Sequence, residues 1–193
     1  MSKTALLIMD LQNGILDRVP TASSLLPLYA TTIASARASS IPIIYIKLGF
    51  RPQHPDVSPL NKMFERIKPF GGFIEGSDAT AVHPSIAPIE GDIIVTKRRV
   101  SAFASTDLEL VLRSLGVQRV VVAGVSTSGV VLSTVREAAD RDYGVTVLRD
   151  LCFDGDEEVH RVLVEKVFPK QADVVTAGEW AAGLKGVEEV KEE

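Results

Sequence analysis

Residues 119–125 read RVVVAGV, and residues 126–129, which follow directly, read STSG. A continuous run rich in valine is typical of a parallel strand that is buried on both faces, and the small polar residues after it favour a turn. Similar short apolar runs occupy residues 5–9, 41–46, 92–96, 145–148 and 173–176. The sequence therefore predicts six parallel strands.

Segments with helical spacing of apolar residues separate these strands. The clearest begins at Thr106, where Thr106-Asp-Leu-Glu109 matches a capping box, and it ends before Gly116. The other predicted helices cover residues 24–39, 128–142, 156–168 and 178–184. Alternating strands and helices predict a three-layer, Rossmann-like α/β/α fold around a six-stranded parallel sheet. We expect a single domain over residues 1–184 and an acidic tail over residues 185–193.

The composition narrows the class of protein. The chain has 193 residues, of which 46% are hydrophobic and 24% charged, and its net charge of -4 offers no basic excess to attract nucleic acid or an anionic membrane. Cys152 is the single cysteine, so neither an internal disulfide nor a cysteine-rich zinc site is expected. The apolar run near the start is too short for a signal peptide, and no later stretch reaches membrane-spanning length. We therefore expect a cytoplasmic protein.

Two ionisable residues follow wholly apolar strands. Asp10 comes after LLIM, and Lys97 comes after IIVT, so both lie at the carboxyl edge of the sheet, where open parallel sheets bind ligands. The two side chains could form a purely structural ion pair, or they could transfer protons at the mouth of a cleft. The turn at Asp10 lacks the Gly-x-Gly-x-x-Gly fingerprint and the chain has no Walker loop, so we expect no nucleotide cofactor.

Residues 49–91 are the longest irregular stretch and hold most of the prolines. Stretches of this length are usually lids or binding loops, or they contain a short helix. His54 lies in this segment and could approach a ligand, whereas His83 and His160 are better explained as surface or packing residues. The three histidines are far apart in sequence and form no Asp-x-His or i, i+4 pattern, so we expect no metal site.

A serine hydrolase is an alternative interpretation of the turn after the valine-rich strand. Gly124-Val-Ser126-Thr-Ser128 nearly matches the nucleophile elbow Gly-x-Ser-x-Gly, and Asp150 and His160 follow in the chain order of an α/β-hydrolase triad. However, Ser128 replaces the second glycine, and the chain is short for that fold. Hydroxyl side chains at such a position more commonly cap a helix.

Three motifs together resemble the isochorismatase-like hydrolases, and they do so in order over nearly the whole chain. They are LLIMDLQN at residues 6–13, VTKRRVSAF at residues 95–103, and GVST at residues 124–127 followed by VREAADR at residues 135–141. The resemblance implies a six-stranded parallel sheet and a site built from Asp10, Lys97 and the turn after the fourth strand. It also implies a homodimer or homotetramer that takes a small-molecule substrate or ligand.

The resemblance also exposes a departure from the family pattern. In the amidases of this family the catalytic cysteine lies just after the GVST turn, at the position that Val130 holds here. Valine is not a nucleophile, so thioester chemistry cannot use this residue, and Cys152 is expected to be a packing residue. Nicotinamidases carry an Asp-x-His metal motif in the loop after the second strand, where this chain reads GFRPQH at residues 49–54. Nicotinamidase activity is therefore not expected.

Isochorismatases proper resemble this chain in lacking the cysteine, and in them the aspartate protonates a vinyl ether. Asp10 would then act as the general acid or base, and Lys97 would hold a substrate carboxylate or tune Asp10. Those enzymes usually carry glycine where this chain has Val130, so isochorismate itself is not the expected substrate. The resemblance further implies a cis peptide bond between Val125 and Ser126 that aims backbone N–H groups into the pocket.

The residues that the resemblance assigns to an oxyanion or substrate-binding role are Val125, Ser126, Ser128, Gln12, Phe103 and Gly129. Two hypotheses about function follow. The first is a cysteine-independent hydrolase that acts on a small carboxylated or carbonyl-bearing molecule through Asp10 and Lys97. The second is a catalytically silent family member that binds a small ligand or serves as an oligomeric scaffold.

Overall fold

The structure is a computed structural model that describes residues 3–189, with side chains described up to Leu184. Its strands are β1 (Lys3–Met9), β2 (Ile43–Leu48), β3 (Ile93–Lys97), β4 (Val117–Val125), β5 (Gly144–Phe153) and β6 (Asp173–Val175). They form one parallel sheet in the order β3-β2-β1-β4-β5-β6. The prediction of a six-stranded parallel sheet is confirmed.

Helices cover both faces of this sheet. They are α1 (Asn13–Leu16), α2 (Leu26–Ala38), α3 (Lys62–Glu65), α4 (Leu108–Ser114), α5 (Leu132–Asp140), α6 (Glu157–Val162) and α7 (Ala177–Glu189). Successive β1 side chains point to opposite faces: Leu7 joins the apolar core under α4 and α5, whereas Leu6 and Ile8 join the core under α2 and α7. The three-layer prediction is confirmed. Within residues 3–189, no helix is long and apolar enough to cross a bilayer.

The order of the strands reverses at β1, which pairs with β2 on one side and β4 on the other. Gly124 of β4 lies opposite Met9 of β1, and a Cβ atom at Gly124 would come within 2.7 Å of the Met9 carbonyl oxygen. Only glycine permits this approach without a shift of the backbone. The close pairing brings the end of β4 next to Asp10, and ligands of open sheets bind at such a switch point.

Strand β5 is longer than the predicted segment at residues 145–148. Val122 pairs with Val147, but the next pair is Gly124 with Cys152, so the register of the two strands shifts between these pairs. Arg149 interrupts the apolar run here, and its polarity explains why the pattern suggested an earlier end. Cys152 therefore lies within β5, although the predicted strand ended at residue 148 and placed Cys152 after it.

The predicted capping box at the start of α4 is wrong. Asp107 is the N-cap residue, and its side chain makes no capping hydrogen bond. The Thr106 hydroxyl accepts a hydrogen bond from the Leu108 N–H at 3.3 Å, and Glu109 pairs with Arg113 at 2.7 Å instead of reaching back to the N-cap. The i, i+4 ion pair competes successfully for the Glu109 carboxylate.

The four other predicted helices have different boundaries. The segment at residues 156–168 is α-helical only to Val162, after which a π-helical turn, Leu163–Val167, follows. The segment at residues 24–39 begins as a 3-10 turn, Pro20–Leu25, before α2, and the segment at residues 128–142 begins as a π-helical turn, Thr127–Val131, before α5. Helix α7 continues to Glu189, beyond the predicted end at residue 184, so part of the predicted tail is helical. Residues 190–193 of that tail lie outside the described residues.

Residues 49–91 fold over the carboxyl edge of the sheet. They contain α3 and several 3-10 turns, which agrees with the expectation of a short helix. An isolated bridge between Gln12 and Val82 attaches this segment to the domain, and a second bridge, between Phe50 and Ile74, lies within the segment. Phe50, Val57, Phe64 and Phe73 of the segment form an apolar cluster with Leu48 of β2. The segment is thus a packed element next to the strand ends, in position to form one wall of a binding site.

Candidate active site

Asp10 and Lys97 meet at the carboxyl edge of the sheet. Asp10 directly follows β1 and is 5% exposed, and Lys97 ends β3 and is 2% exposed. The Asp10 Oδ2 and Lys97 Nζ atoms lie 2.9 Å apart. Asp10 has a φ of 63°, in the left-handed region that few residues other than glycine adopt. Such a conformation is held in place by surrounding structure, here by the donation of the Asp10 N–H to the Ile46 carbonyl oxygen at 2.9 Å.

The two carboxylate oxygens of Asp10 have different surroundings. Oδ2 faces Lys97, whereas Oδ1 is buried and has no hydrogen-bond partner among the described residues. Burial raises the pKa of Asp10 above its ordinary value, although the Lys97 ammonium group opposes the shift. Lys97 also donates to the Arg99 carbonyl oxygen at 3.2 Å. The arrangement therefore leaves one acidic oxygen available for proton transfer.

The turn after β4 lies beside this pair. The peptide bond between Val125 and Ser126 is cis, at the position that the family resemblance implied. The Gly129 and Val131 N–H groups both donate to the Ser126 carbonyl oxygen at 3.2 Å, which closes the turn. A Cβ atom at Gly129 would lie 2.6 Å from the Ser126 hydroxyl oxygen, so a larger residue there would displace the Ser126 side chain.

A cavity of about 430 Å³ opens between this turn and the packed segment at residues 49–91. Its volume is in the range of small-molecule sites. The lining residues are Asp10, Ile15, Arg18, Val19, Leu48, Met63, Phe64, Arg66, Ile67, Phe73, Lys97, Val100, Val125, Ser126, Gly129 and Val130. Buried Asp10 and Lys97 form the inner end, and exposed Arg18 and Arg66 belong to the outer end.

Comparison with known proteins identifies the family to which this chain belongs. The sequence matches the isochorismatase domain family over residues 4–179. The chain belongs to the isochorismatase family. It is 30% identical to a probable inactive nicotinamidase from Arabidopsis thaliana, and the alignment covers 94% of this chain and 96% of that relative.

This isochorismatase-family chain is also similar to a named amidohydrolase and to a solved structure. It is 29% identical to the ureidoacrylate amidohydrolase RutB from Methylobacterium radiotolerans, with 85% of this chain and 72% of that relative covered. A solved structure of an isochorismatase family protein from Burkholderia thailandensis superposes with a TM-score of 0.80 at 26% identity, and the match covers 95% of this chain and 96% of that one. The chain is a hydrolase of the isochorismatase family.

Six of the residues predicted for the site of this isochorismatase-family hydrolase line the cavity together. They are Asp10, Lys97, Val125, Ser126, Gly129 and Val130. Val130 is 2% exposed and takes part in both the cavity wall and the apolar core. The family resemblance assigns the amidase cysteine to this position, so an apolar side chain stands in the wall where those amidases have a thiol.

Gln12, which was expected to bind substrate, is not among the residues that line the cavity. Its side-chain amide is fully buried and donates to the Leu48 carbonyl oxygen at 2.8 Å and to that of Thr80 at 3.1 Å. Its side-chain oxygen accepts from the Leu48 N–H at 2.7 Å. Because these backbone groups occupy the amide, Gln12 fastens the segment at residues 49–91 to the end of β2.

Phe103 and Ser128 also lie outside the cavity lining, so the structure does not bring these two residues to the site. The Phe103 ring is buried in the core 5.9 Å from the Tyr143 ring. Ser128 is exposed, and its N–H donates to Asp154 Oδ2 at 2.7 Å. The cavity is lined instead by Val125, Ser126, Gly129 and Val130 of this turn.

The structure does not assemble the serine triad. His160 Nδ1 is hydrogen-bonded to the Thr127 hydroxyl at 2.9 Å and not to that of Ser126. The Asp150 carboxylate accepts from the Ala177 N–H at 2.8 Å. Neither His160 nor Asp150 lines the cavity, so the serine hydrolase interpretation is wrong.

His54 and Cys152, two further candidates, have structural roles. His54 is buried, and its Nε2–H donates to the Gly72 carbonyl oxygen at 2.8 Å, so it does not reach the cavity. Burial raises the pKa of the Cys152 thiol to about 12, and Cys152 packs in the apolar core as expected. In the portion of the chain that the structure describes, no group of three or more His, Cys, Asp or Glu side chains could hold a metal ion.

The outer wall of the cavity contains residues that were not predicted. Arg18 follows α1, Arg66 follows α3, and Phe73 lies further along the segment at residues 49–91. These residues belong to no sequence motif, and only the tertiary fold brings them to the cavity. The unusual length and proline content of the segment were the one signal in the sequence, and they indicated a region without indicating side chains.

Proposed function

We propose that this hydrolase acts on a small carboxylated or carbonyl-bearing molecule through proton transfer by Asp10, without a covalent nucleophile. One observation carries the proposal. The Asp10 Oδ1 atom is buried, lacks a hydrogen-bond partner within the described residues, and belongs to a residue that lines the cavity. A carboxyl oxygen in this situation is available to a bound molecule.

The raised pKa of Asp10 suits a general acid. In the proposed reaction the Asp10 carboxyl transfers its proton to the substrate atom at which negative charge develops. Lys97, 2.9 Å away, stabilises the carboxylate that remains. Water then adds to the activated carbon and returns a proton to Asp10, so the enzyme ends in its starting state.

The composition of the turn supports a mechanism without cysteine. Val130 offers no nucleophile, and the Cys152 thiol is buried in the core, where its raised pKa disfavours the reactive thiolate. The Ser126 hydroxyl lines the cavity, but His160 does not contact it to serve as a base. Ser126 therefore has the role of a hydrogen-bonding group for a bound carbonyl or anion.

The relatives support the proposed class of substrate. RutB is a ureidoacrylate amidohydrolase, and ureidoacrylate is a small carboxylate. The cavity of this chain combines apolar walls with cationic side chains, which suits a molecule of that general type.

The experiment measures product release by the purified protein from isochorismate and from a panel of small amides and esters. The Asp10→Asn variant removes the acid, and Asp17→Asn is the matched control because Asp17 is exposed and outside the cavity lining. We expect turnover of a panel member to fall by roughly 100-fold or more in Asp10→Asn, to be unchanged in Asp17→Asn, and to be reduced but not lost in Ser126→Ala, which removes a hydrogen bond but not the acid. Unchanged turnover in Asp10→Asn contradicts the proposal.

A second candidate is a silent binder, which Val130 favours because an apolar side chain lines the cavity where the family's amidases have their nucleophile. The relative described as a probable inactive nicotinamidase fits this alternative. A folded protein that binds panel members but converts none of them would support it over the hydrolase.

A further inference from the structure

We propose that Arg18 and Arg66 form a recognition site for an anionic group, preferably a carboxylate, at the outer end of the substrate. The substrate is then an amphipathic anion: its reactive group lies at Asp10, an apolar body lies along the cavity walls, and its carboxylate lies between the two arginines. The assignment of the reactive end rests on the proposed function, whereas the recognition of the anion is independent of it.

The charge of the cavity differs from the charge of the chain. The whole chain has a net charge of -4, but the charged residues of the cavity lining are three cations and one acid. The acid, Asp10, is already paired with one of the cations, Lys97. The remaining positive charge is that of Arg18 and Arg66. A cleft lined by one sign of charge concentrates ligands of the opposite sign.

Arg18 and Arg66 differ from Arg51 and Arg98 in having no acidic partner among the described residues. Arg51 pairs with Asp56, and Arg98 pairs with Glu75 at 2.6 Å. Neither Arg18 nor Arg66 forms an ion pair with any acid in the part of the chain that the structure describes, although each follows an acidic residue in the sequence. Their guanidinium groups therefore remain available to an external anion.

The Arg18 guanidinium group is held in place by an aromatic ring. Its Cζ atom lies 5.0 Å from the centroid of the Phe73 ring, and both residues line the cavity. A guanidinium group over a ring face uses its π surface for that contact and keeps its N–H donors in the plane, where a carboxylate can accept two of them. Phe73 thus orients a donor toward the cavity at little entropic cost.

The inner end of the cavity is less suited to a carboxylate. Lys97 is already engaged by Asp10 Oδ2 and by the Arg99 carbonyl oxygen, and the ionised form of Asp10 repels a second anion. Between the two ends the walls include Ile15, Val19, Phe64, Ile67 and Val100, which favour an apolar body. The polarity of the cavity therefore orients the anion outward.

The test compares the binding of cinnamate and cinnamamide, which have the same shape and differ in charge. Isothermal titration calorimetry is run on the full chain as wild type, Arg18→Gln, Arg66→Gln, the double variant and Asp10→Asn. We expect the wild type to bind cinnamate about tenfold more tightly than cinnamamide. In each single arginine variant this ratio of affinities should fall to about threefold, and in the double variant the two affinities should be equal. Arg51→Gln is the matched control, since Arg51 is exposed and lies outside the cavity lining.

Asp10→Asn separates the two proposals, because its preference for cinnamate is expected to persist even if its turnover is lost. Equal affinities of the wild type for the two probes, or a preference that survives in the double variant, would overturn the recognition site. A preference that disappears in Lys97→Gln but not in the arginine variants would place the anion at the inner end and also overturn it. Absence of measurable cinnamate binding to the wild type counts against it as well.

Discussion

Lys97 Nζ lies 2.9 Å from Asp10 Oδ2, although the strands that carry the two residues do not pair with each other. The intervening strand β2 aligns them: the Asp10 N–H donates to the Ile46 carbonyl oxygen, and Lys97 is in register with Leu48. Both side chains are almost completely buried. Each charge is therefore compensated mainly by the other, and loss of either one leaves an unpaired group in the interior.

Replacement of Lys97 by methionine should lower the free energy of unfolding at neutral pH by about 3 to 5 kcal/mol, because the buried Asp10 charge loses its partner. Urea unfolding followed by circular dichroism measures the change. The double variant Asp10→Asn with Lys97→Met should recover much of the loss, since no buried charge remains. Lys62→Met is the exposed control. Equal stability of wild type and Lys97→Met would show that the pair contributes nothing.

The pH dependence of the free energy of unfolding should reflect the titration of Asp10. Burial raises the folded-state pKa of this carboxyl above the ordinary 3.8, so the folded protein retains the proton that the unfolded chain loses first. The contribution of Asp10 is therefore fully present below pH 3.8 and declines as the pH rises through the folded-state pKa. Unfolding free energies measured over a pH series should show this decline in the wild type relative to Asp10→Asn. A gain in the stability of the wild type relative to Asp10→Asn with rising pH would contradict the assigned direction.

Much of the fold and of the inner site was predictable from the sequence. Apolar runs such as residues 119–125 identify buried strands because burial on both faces requires continuous hydrophobicity, and an acid such as Asp10 stands out directly after such a run. The outer site was not predictable, because Arg18 and Arg66 reach the cavity only through the folding of irregular segments. Gln12 was expected to bind substrate because a polar residue near an active site looks the same in sequence whether it binds substrate or backbone.

Replacement of Val130 by cysteine tests whether the remaining amidase machinery is intact. The new thiol would line the cavity with Asp10 and Lys97. We expect hydrolysis of p-nitrophenyl acetate to rise by roughly tenfold or more over the wild type, with a burst that reports acylation of the thiol. Val130→Ala, which enlarges the cavity without adding a nucleophile, is the control. If folded Val130→Cys hydrolysed p-nitrophenyl acetate no faster than the wild type, the turn would no longer support a nucleophile.

The native thiol should be unreactive. Cys152 is buried in β5, and its pKa is raised to about 12, so thiolate is scarce at neutral pH. A chromogenic disulfide reagent should label the native protein at least about 100-fold more slowly than the urea-unfolded chain. Labelling of native and unfolded protein at similar rates would place Cys152 in an accessible environment and contradict the description of the core.

Gly124→Ala should destabilise the protein by about 1 to 3 kcal/mol, because its methyl group meets the backbone of β1. The new Cβ atom would lie 2.7 Å from the Met9 carbonyl oxygen. Gly155→Ala is the matched control, since a Cβ atom there has no neighbour within 4 Å. Thermal unfolding of the two variants should differ clearly. Similar stabilities would mean that β1 and β4 separate readily next to the site.

The central claim, that Asp10 drives hydrolysis without cysteine, is tested most directly by the turnover of one converted substrate in Cys152→Ala and Asp10→Asn. The account predicts that Cys152→Ala keeps the wild-type kcat/KM, while Asp10→Asn loses roughly 100-fold or more with its fold intact. Loss of turnover in Cys152→Ala, or its retention in Asp10→Asn, would contradict the claim.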